Sequence, residues 1–172
     1  MSYQFKLAHN SQEITAYFAL RHSIFVEEQE LFQNNDLDEI DQYAYPIVAL
    51  NSDTDQVVGV VRIYEVKPLV WYGGRLGTHQ DYRKGWQIGK GLIGKAVTTA
   101  NTWGCTQFLA NVQLQNVRFF QRLHWKSLDE MMICDQPHHL MEADLNFYPP
   151  SQEPFNRITY TNINYNQLPT KT

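Results

Sequence analysis

The chain has 172 residues, 43% of them hydrophobic, and a formal net charge of −4 with its six histidines neutral. That is enough for one domain with a sizeable core, and the absence of a basic stripe along the chain argues against nucleic acid as a partner. No apolar run reaches the roughly 20 residues of a membrane span and no signal-peptide pattern opens the chain, so a cytoplasmic protein with no membrane partner is expected.

Taken in order, Tyr3 to Ala8 reads as a first strand. Asn10 and Glu13 form an N-x-x-E capping box, which starts a helix with Ile14, Tyr17, Phe18, Phe25 and Val26 on one face, reaching Glu28 or Gln29. The stretch from Glu30 to Gln42 is acidic and irregular. It opens as a calcium loop would, but Asp41 and Ile47 stand where that loop needs Gly and Glu. Its aspartates suit either a solvated loop or a site for a substrate cation.

Residues 45–51 and 56–66 read as a hairpin of two strands, with Arg62 inside the second and in need of a partner or a solvated cleft. A strand from Trp71 to Thr78 follows, weakened by Gly73 and Gly74 in a way that suggests a bulge. A helix from about Gln87 ends at Gly104. A strand over 107–114, a short helix over 116–123 and a last hairpin over 125–134 and 138–146 complete the domain. Cys105 and Cys134 show neither paired spacing nor a metal motif and read as reduced core residues. The order β-α-β-β-β-α-β-α-β-β predicts an α+β (α/β) fold, a mixed and mostly antiparallel sheet flanked by helices. The domain spans 1–148. Residues 149–172 read as a polar tail, either weakly ordered or an arm packed on the surface or on a second copy in a homodimer.

The stretch from Trp71 to Trp103 carries the chemistry. Between 75 and 95 lie five basic residues (Arg75, Arg83, Lys84, Lys90, Lys95) against one acid, Asp81, so a basic island sits in an acidic chain. Gly89, Gly91 and Gly94 satisfy G-x-G-x-x-G literally. A dinucleotide site also needs an acid about 20 residues on, and no Asp or Glu lies between Asp81 and Asp129. A nucleotide P-loop fails on spacing and on Gly91, which stands where a hydroxyl must hold magnesium. A metal-free diphosphate site of an acyl-coenzyme A enzyme remains, with the phosphates at a helix N-terminus.

Two segments, RLGTHQDYRKGWQIGKGLI (75–93) and NVRFFQRLHW (116–125), resemble the GNAT superfamily of N-acetyltransferases across roughly residues 3–147. RHSIFVEEQELF with DLDEID is similar to the ElaA-like members. WYGGRLGTHQDYR and PHHLMEADLNFYPP look closest to a bacterial nitrogen-starvation acetyltransferase subgroup. Arg21, Phe25, Asp38, Asp41 and Arg62 give a distant similarity to acyl-homoserine-lactone synthases.

The resemblance implies acetyl-CoA as cosubstrate, no metal, a small-molecule amine as acceptor, and an opening between the strands ending near Thr78 and Leu114. It places the pantetheine on Leu76, Gly77 and Thr78. The diphosphate falls on the run from Arg83 through Lys84, Gly85, Gln87, Ile88 and Gly89 to Lys90, with Asn116 and Phe120 flanking the thioester. Two positions depart from the pattern. Phe120 replaces a Tyr that protonates the leaving thiolate, and His124 replaces a Gly.

Direct attack of an amine on a thioester needs a base, a donor for the carbonyl oxygen and an acid for the thiolate. Glu65 and His124 are the first candidates for proton transfer, with His79 and His138 also in view. His138 and His139 are adjacent on a strand and face opposite ways. Phe25, Glu28, Asp38, Asp41 and Arg62 are the expected substrate-side residues. A lactone-synthase-like acyltransferase using S-adenosylmethionine, and a non-catalytic coenzyme-binding protein, are the alternatives.

Overall fold

The computed structural model describes residues 1–152; most of the expected polar arm lies outside the described residues. Its strands are β1 (Tyr3–Leu7), β2 (Tyr45–Asn51), β3 (Val57–Lys67), β4 (Val70–Thr78), β5 (Gln107–Gln113), β6 (Trp125–Ile133) and β7 (Gln136–Ala143). They form one sheet in the order β1-β2-β3-β4-β5-β7-β6. Every neighbouring pair is antiparallel except β4 and β5, which run parallel. The helices are α1 (Ser11–His22), α2 (Gln87–Thr102) and α3 (Val117–Arg122). Among the described residues no helix is long and apolar enough to cross a membrane.

Helices cover both faces of the sheet, which explains why YPIVALN is apolar without alternation. Ile47 and Ala49 pack with Leu92, Ala96 and Val97 of α2. Val48, Leu50 and Val60 pack with Ile14, Tyr17 and Phe18 of α1. Burying one such side chain contributes about 1.5–3 kcal/mol. The α2 layer lies close because its contact positions are small. A Cβ on Gly91 would overlap the Phe5 ring, and one on Gly59 would stand 2.7 Å from Ile88.

Local chemistry sets the ends of α1. The Asn10 carboxamide accepts from the Glu13 N–H at 2.8 Å. The reciprocal arm of the capping box is absent: the Glu13 carboxylate takes the His9 N–H and Lys6 instead. Past His22 the helix widens into a π-helical segment, Ser23–Glu28, in which Gln29 donates to the Ile24 carbonyl. Such turns concentrate at functional sites; this one carries Phe25 and Glu28. Cys105 is buried as expected. Cys134 is exposed, because it falls in the β6–β7 turn, where its φ is +50°, and not within a strand.

The glycines of α2 divide by packing. Gly91→Ala should lower stability by about 1–3 kcal/mol through overpacking against Phe5. Gly94→Ala, which meets nothing within 4 Å, should raise it by about 0.5–1 kcal/mol. Urea unfolding of the two variants measures the difference.

Candidate active site

β4 and β5 pair only from Val70↔Gln107 to Gly73↔Ala110. Beyond that point β4 continues to Thr78 and β5 to Gln113, each pairing on its outer side alone. The strands part, and the inner edge of each keeps backbone groups with no strand partner. A bulge contributes. Val60 pairs with Gly77 and Arg62 with Gly74, so Arg75 and Leu76 both stand opposite Val61. Arg75 takes a φ of +52°, a left-handed conformation uncommon outside glycine.

A cleft of about 250 Å³ occupies this parting. Phe25 of the π-helical segment, Gln29 just past it, Gly74 and Leu76 from β4, and Asn111 from β5 line it. So do Ile93 of α2, Phe120 of α3, Trp125, Asn116 and His138. Among the described residues no Asp, Glu, Lys or hydroxyl-bearing side chain lines it, and its titratable members are Arg75 and His138. His138 Nδ1 lies 2.8 Å from the Gln136 carbonyl. A carbonyl only accepts, so in the neutral ring the proton is on Nδ1 and Nε2 carries the lone pair.

A second hollow of about 320 Å³ opens at the start of α2, lined by Thr78, Arg83, Gly85, Ile88 and Gly89. Gly85 sits at φ +81°, where glycine alone is unstrained. No side chain caps α2, and no acid lies in its first turn. Its first N–H groups therefore have no intrahelical acceptor and face an environment suited to an anion. Phe119 and Arg122 of α3 also line the hollow, Arg122 lying 5.1 Å over the Trp86 ring. Sequence reading missed both, since nothing local shows that α3 folds across this loop. Lys84, Gln87 and Lys90 are not among the lining residues. Arg83 donates through Nε to the Thr78 carbonyl at 2.8 Å and pairs with Glu28 at 2.8 Å.

The two leading proton-transfer candidates lie elsewhere. Glu65 is near the end of β3, opposite Trp71, and its carboxylate accepts from the Leu69 N–H of the β3–β4 turn at 2.9 Å, at the opposite end of β4 from the parting. His124 occupies the turn between α3 and β6 with φ +70°, and its ring stacks on Phe147 at 3.5 Å. That left-handed turn is the physical reason a glycine is common there. His79 accepts from the Asp81 N–H and so caps a single turn.

The expected substrate-side aspartates face arginines. Arg21 binds Asp41 and Asp36, each at 2.6 Å. Arg62 binds Asp38 at 2.7 Å and Asp41 at 3.0 Å. Arg75 joins through Asp36 at 3.1 Å. Arg21, Arg62, Asp36 and Asp41 are all at most 3% exposed. Burial raises the pKa of Asp41, but Arg21 and Arg62 outweigh it, and the carboxyl is held below the usual range. Asp38 is lowered likewise, burial opposing and Arg62 prevailing. Asp38, Asp41 and Arg62 thus hold the acidic loop on the sheet and are not among the cleft's lining residues.

The profile of the Acetyltransferase (GNAT) family matches residues 12–125, well over half of the chain, and the protein belongs to that family. Its fold is the GNAT fold, shared with several solved structures. Escherichia coli ElaA is 23% identical, with a TM-score of 0.71 over 83% of this chain and 99% of its own. An acyl-CoA N-acyltransferase from Pseudomonas aeruginosa is 17% identical, with a TM-score of 0.66 over 83% of this chain and 100% of its own. The CoA-dependent acyl-homoserine lactone synthase BjaI, solved with SAM and isopentyl-CoA, is 20% identical, with a TM-score of 0.66 over 91% of this chain and 84% of its own. None of the curated proteins compared with the chain matches it.

Removing one partner of the buried network should be costly. Asp41→Asn leaves two guanidiniums short of countercharge and should lose about 3–5 kcal/mol, with Asp38→Asn losing less because Asp38 is part-exposed. Because folding lowers both carboxyl pKa values, their contribution is present above the unfolded pKa and fades as pH falls below about 4. Chemical denaturation of wild type and Asp41→Asn between pH 3 and 7 should show the wild-type advantage shrinking on the acid side.

Proposed function

We propose that the protein is an acyl-CoA-dependent N-acyltransferase, with acetyl-CoA the expected donor, that acylates the amine of a small molecule by direct attack. The observation that carries this reading is the continuity of two features. The uncapped, basic start of α2 lies beside Thr78, and β4 runs from Thr78 back to its parting from β5. That course fits an elongated ligand with a diphosphate at one end and a reactive group at the other.

In this reading the first N–H groups of α2, with Arg83, Gly85, Ile88, Gly89 and the newly found Arg122, receive the diphosphate. Lys84, Gln87 and Lys90 contribute charge and backbone nearby. A coenzyme diphosphate would compete with Glu28 for Arg83. The unpaired edge of Leu76, Gly77 and Thr78 takes the pantetheine amides, and Asn116 and Phe120 flank the thioester. Bound acyl-CoA supplies an activated carbonyl. A β4 N–H polarises its oxygen, and Phe25 shapes the acceptor side.

His138 is the base of this proposal: its Nε2 takes the proton that the attacking amine must lose. Phe120 has no proton for the departing sulfur and no hydroxyl among the described residues lines the cleft, so the protonated His138 returns it. A second reading, a lactone-synthase-like acyltransferase, is supported by the linkage of Arg21, Asp38, Asp41 and Arg62, the positions that carry that similarity. S-adenosylmethionine in the acceptor panel distinguishes it. Coenzyme binding without thiol release for any amine would instead mark the non-catalytic reading that Phe120 favours.

Calorimetry with coenzyme A and thiol release with an amine panel test the proposal. Gly89→Val should leave the melting temperature nearly unchanged, because a Cβ there meets Phe119 only at 3.6 Å, yet weaken coenzyme binding at least tenfold by filling the hollow. Unchanged affinity would refute the assignment of the loop. His138→Gln should keep coenzyme affinity and lower kcat by about 10²–10⁴; a wild-type rate would remove His138 from the chemistry.

A further inference from the structure

The lining of the cleft restricts the acceptor. A site selecting a polyamine or another multiply charged cation would present carboxylates to it, and among the described residues this cleft presents none. The nearby acids are already spent. Asp36 and Asp41 are buried against arginines, both Asp38 oxygens are taken by Arg62, and Glu28 faces Arg83.

The cation in the cleft is Arg75. Its Nε and NH2 donate to Asp36 and Asp38, while its NH1 group has no hydrogen-bond partner among the described residues. The guanidinium is held rigidly. It lies 4.4 Å over the Phe32 ring, and its backbone is turned by the bulge at φ +52°. Burial lowers its pKa, and so do the neighbouring charges of Arg62 and Arg21, a combination that an additional anion would relieve. Arg62 Nε, buried and without a partner among the described residues, lies behind the lining, 3.8 Å from where a Cβ on Gly74 would stand. Arg75 therefore keeps donor capacity in a cleft with no acid among its described lining residues, backed by the charge of Arg62, and a guanidinium suits a carboxylate.

We propose that the acceptor amine also carries an anionic group, a carboxylate by preference, which docks on Arg75 while the amine lies toward His138. This rests on the acyltransferase reading above and narrows its acceptor to amino acids and related amino carboxylates. It also replaces the expectation that Asp38 and Asp41 hold the amine. Those aspartates instead fix the arginines, of which Arg75 would read the acid.

Matched ligands test it. The wild-type complex with coenzyme A is titrated calorimetrically with glycine and glycinamide, with 4-aminobutyrate and its amide, with 2-aminoethylphosphonate, and with 1,4-diaminobutane. Thiol release from acetyl-CoA is followed with the same panel. The expected result is that at least one amino carboxylate binds tenfold or more tightly than its amide, with the phosphonate showing whether any anion serves. Arg75→Gln should erase that difference and leave coenzyme affinity unchanged, and Arg75→Lys should restore part of it.

Equal binding of acid and amide throughout, or tighter binding of the diamine, would overturn the proposal. So would a folded Arg75→Gln variant that keeps the preference. If Arg75→Gln fails to fold, the wild-type pairs and Arg75→Lys decide. The two layers of the argument separate. Carboxylate-selective binding without thiol release would refute the enzyme reading and leave the anion site standing. Thiol release without carboxylate selectivity would do the reverse.

Discussion

The parting of β4 from β5 after Gly73 and Ala110 is the constraint on which the rest of the molecule depends. A continuous sheet would leave no cleft and no unpaired backbone beside α2. Unpaired strand edges are costly unless something satisfies or covers them. Here the covering comes from both faces. The π-helical end of α1 closes one side, and α2 with α3 closes the other. The bulge at Arg75 and Leu76 supplies the local geometry by adding a residue to β4 opposite Val61 and turning Arg75 toward the acidic loop.

That turn links the cleft to the most unusual energetic feature of the chain. Three arginines and three aspartates meet under α1, two of the arginines and two of the aspartates almost fully withdrawn from water. Such networks are weak evidence for net stability, since desolvation cancels much of their attraction, but they fix geometry. In this molecule they tie residues 36–41, α1, β3 and β4 together at the wall of the cleft. A second link, from Arg83 to Glu28, joins the loop before α2 to the end of α1 across the mouth. The loop before α2 and the wall carried by residues 23–41 are thereby mechanically connected.

Much of this was legible in the sequence. The strands, the helices and the start of α2 follow from local periodicity and capping, and local rules are what sequence reading applies well. The basic island with Gly85 and Gly89 pointed to an anion site because its residues are contiguous. Long-range placement was not legible in the same way. Glu65 and His124 have suitable side chains, yet one reaches into a hairpin turn, the other sits in a left-handed turn stacked on Phe147, and neither is among the cleft's lining residues. Asp38 and Asp41 read as open carboxylates because Arg21 and Arg62, distant in sequence, are what neutralise them. Gly91 looked like part of a phosphate motif but is small for the sake of Phe5. The contributions of Phe119 and Arg122 depended on where α3 lands.

The central claim is that one ligand runs from the start of α2 into the parting of β4 and β5. A crystal structure of the coenzyme A complex tests it most directly. The account predicts the diphosphate against the first turn of α2 beside Gly85 and Gly89, the pantetheine along Leu76 to Thr78, and the sulfur near Phe120 and Asn116. Coenzyme bound with its pantetheine outside the parted strands, or with its diphosphate away from α2, would contradict it.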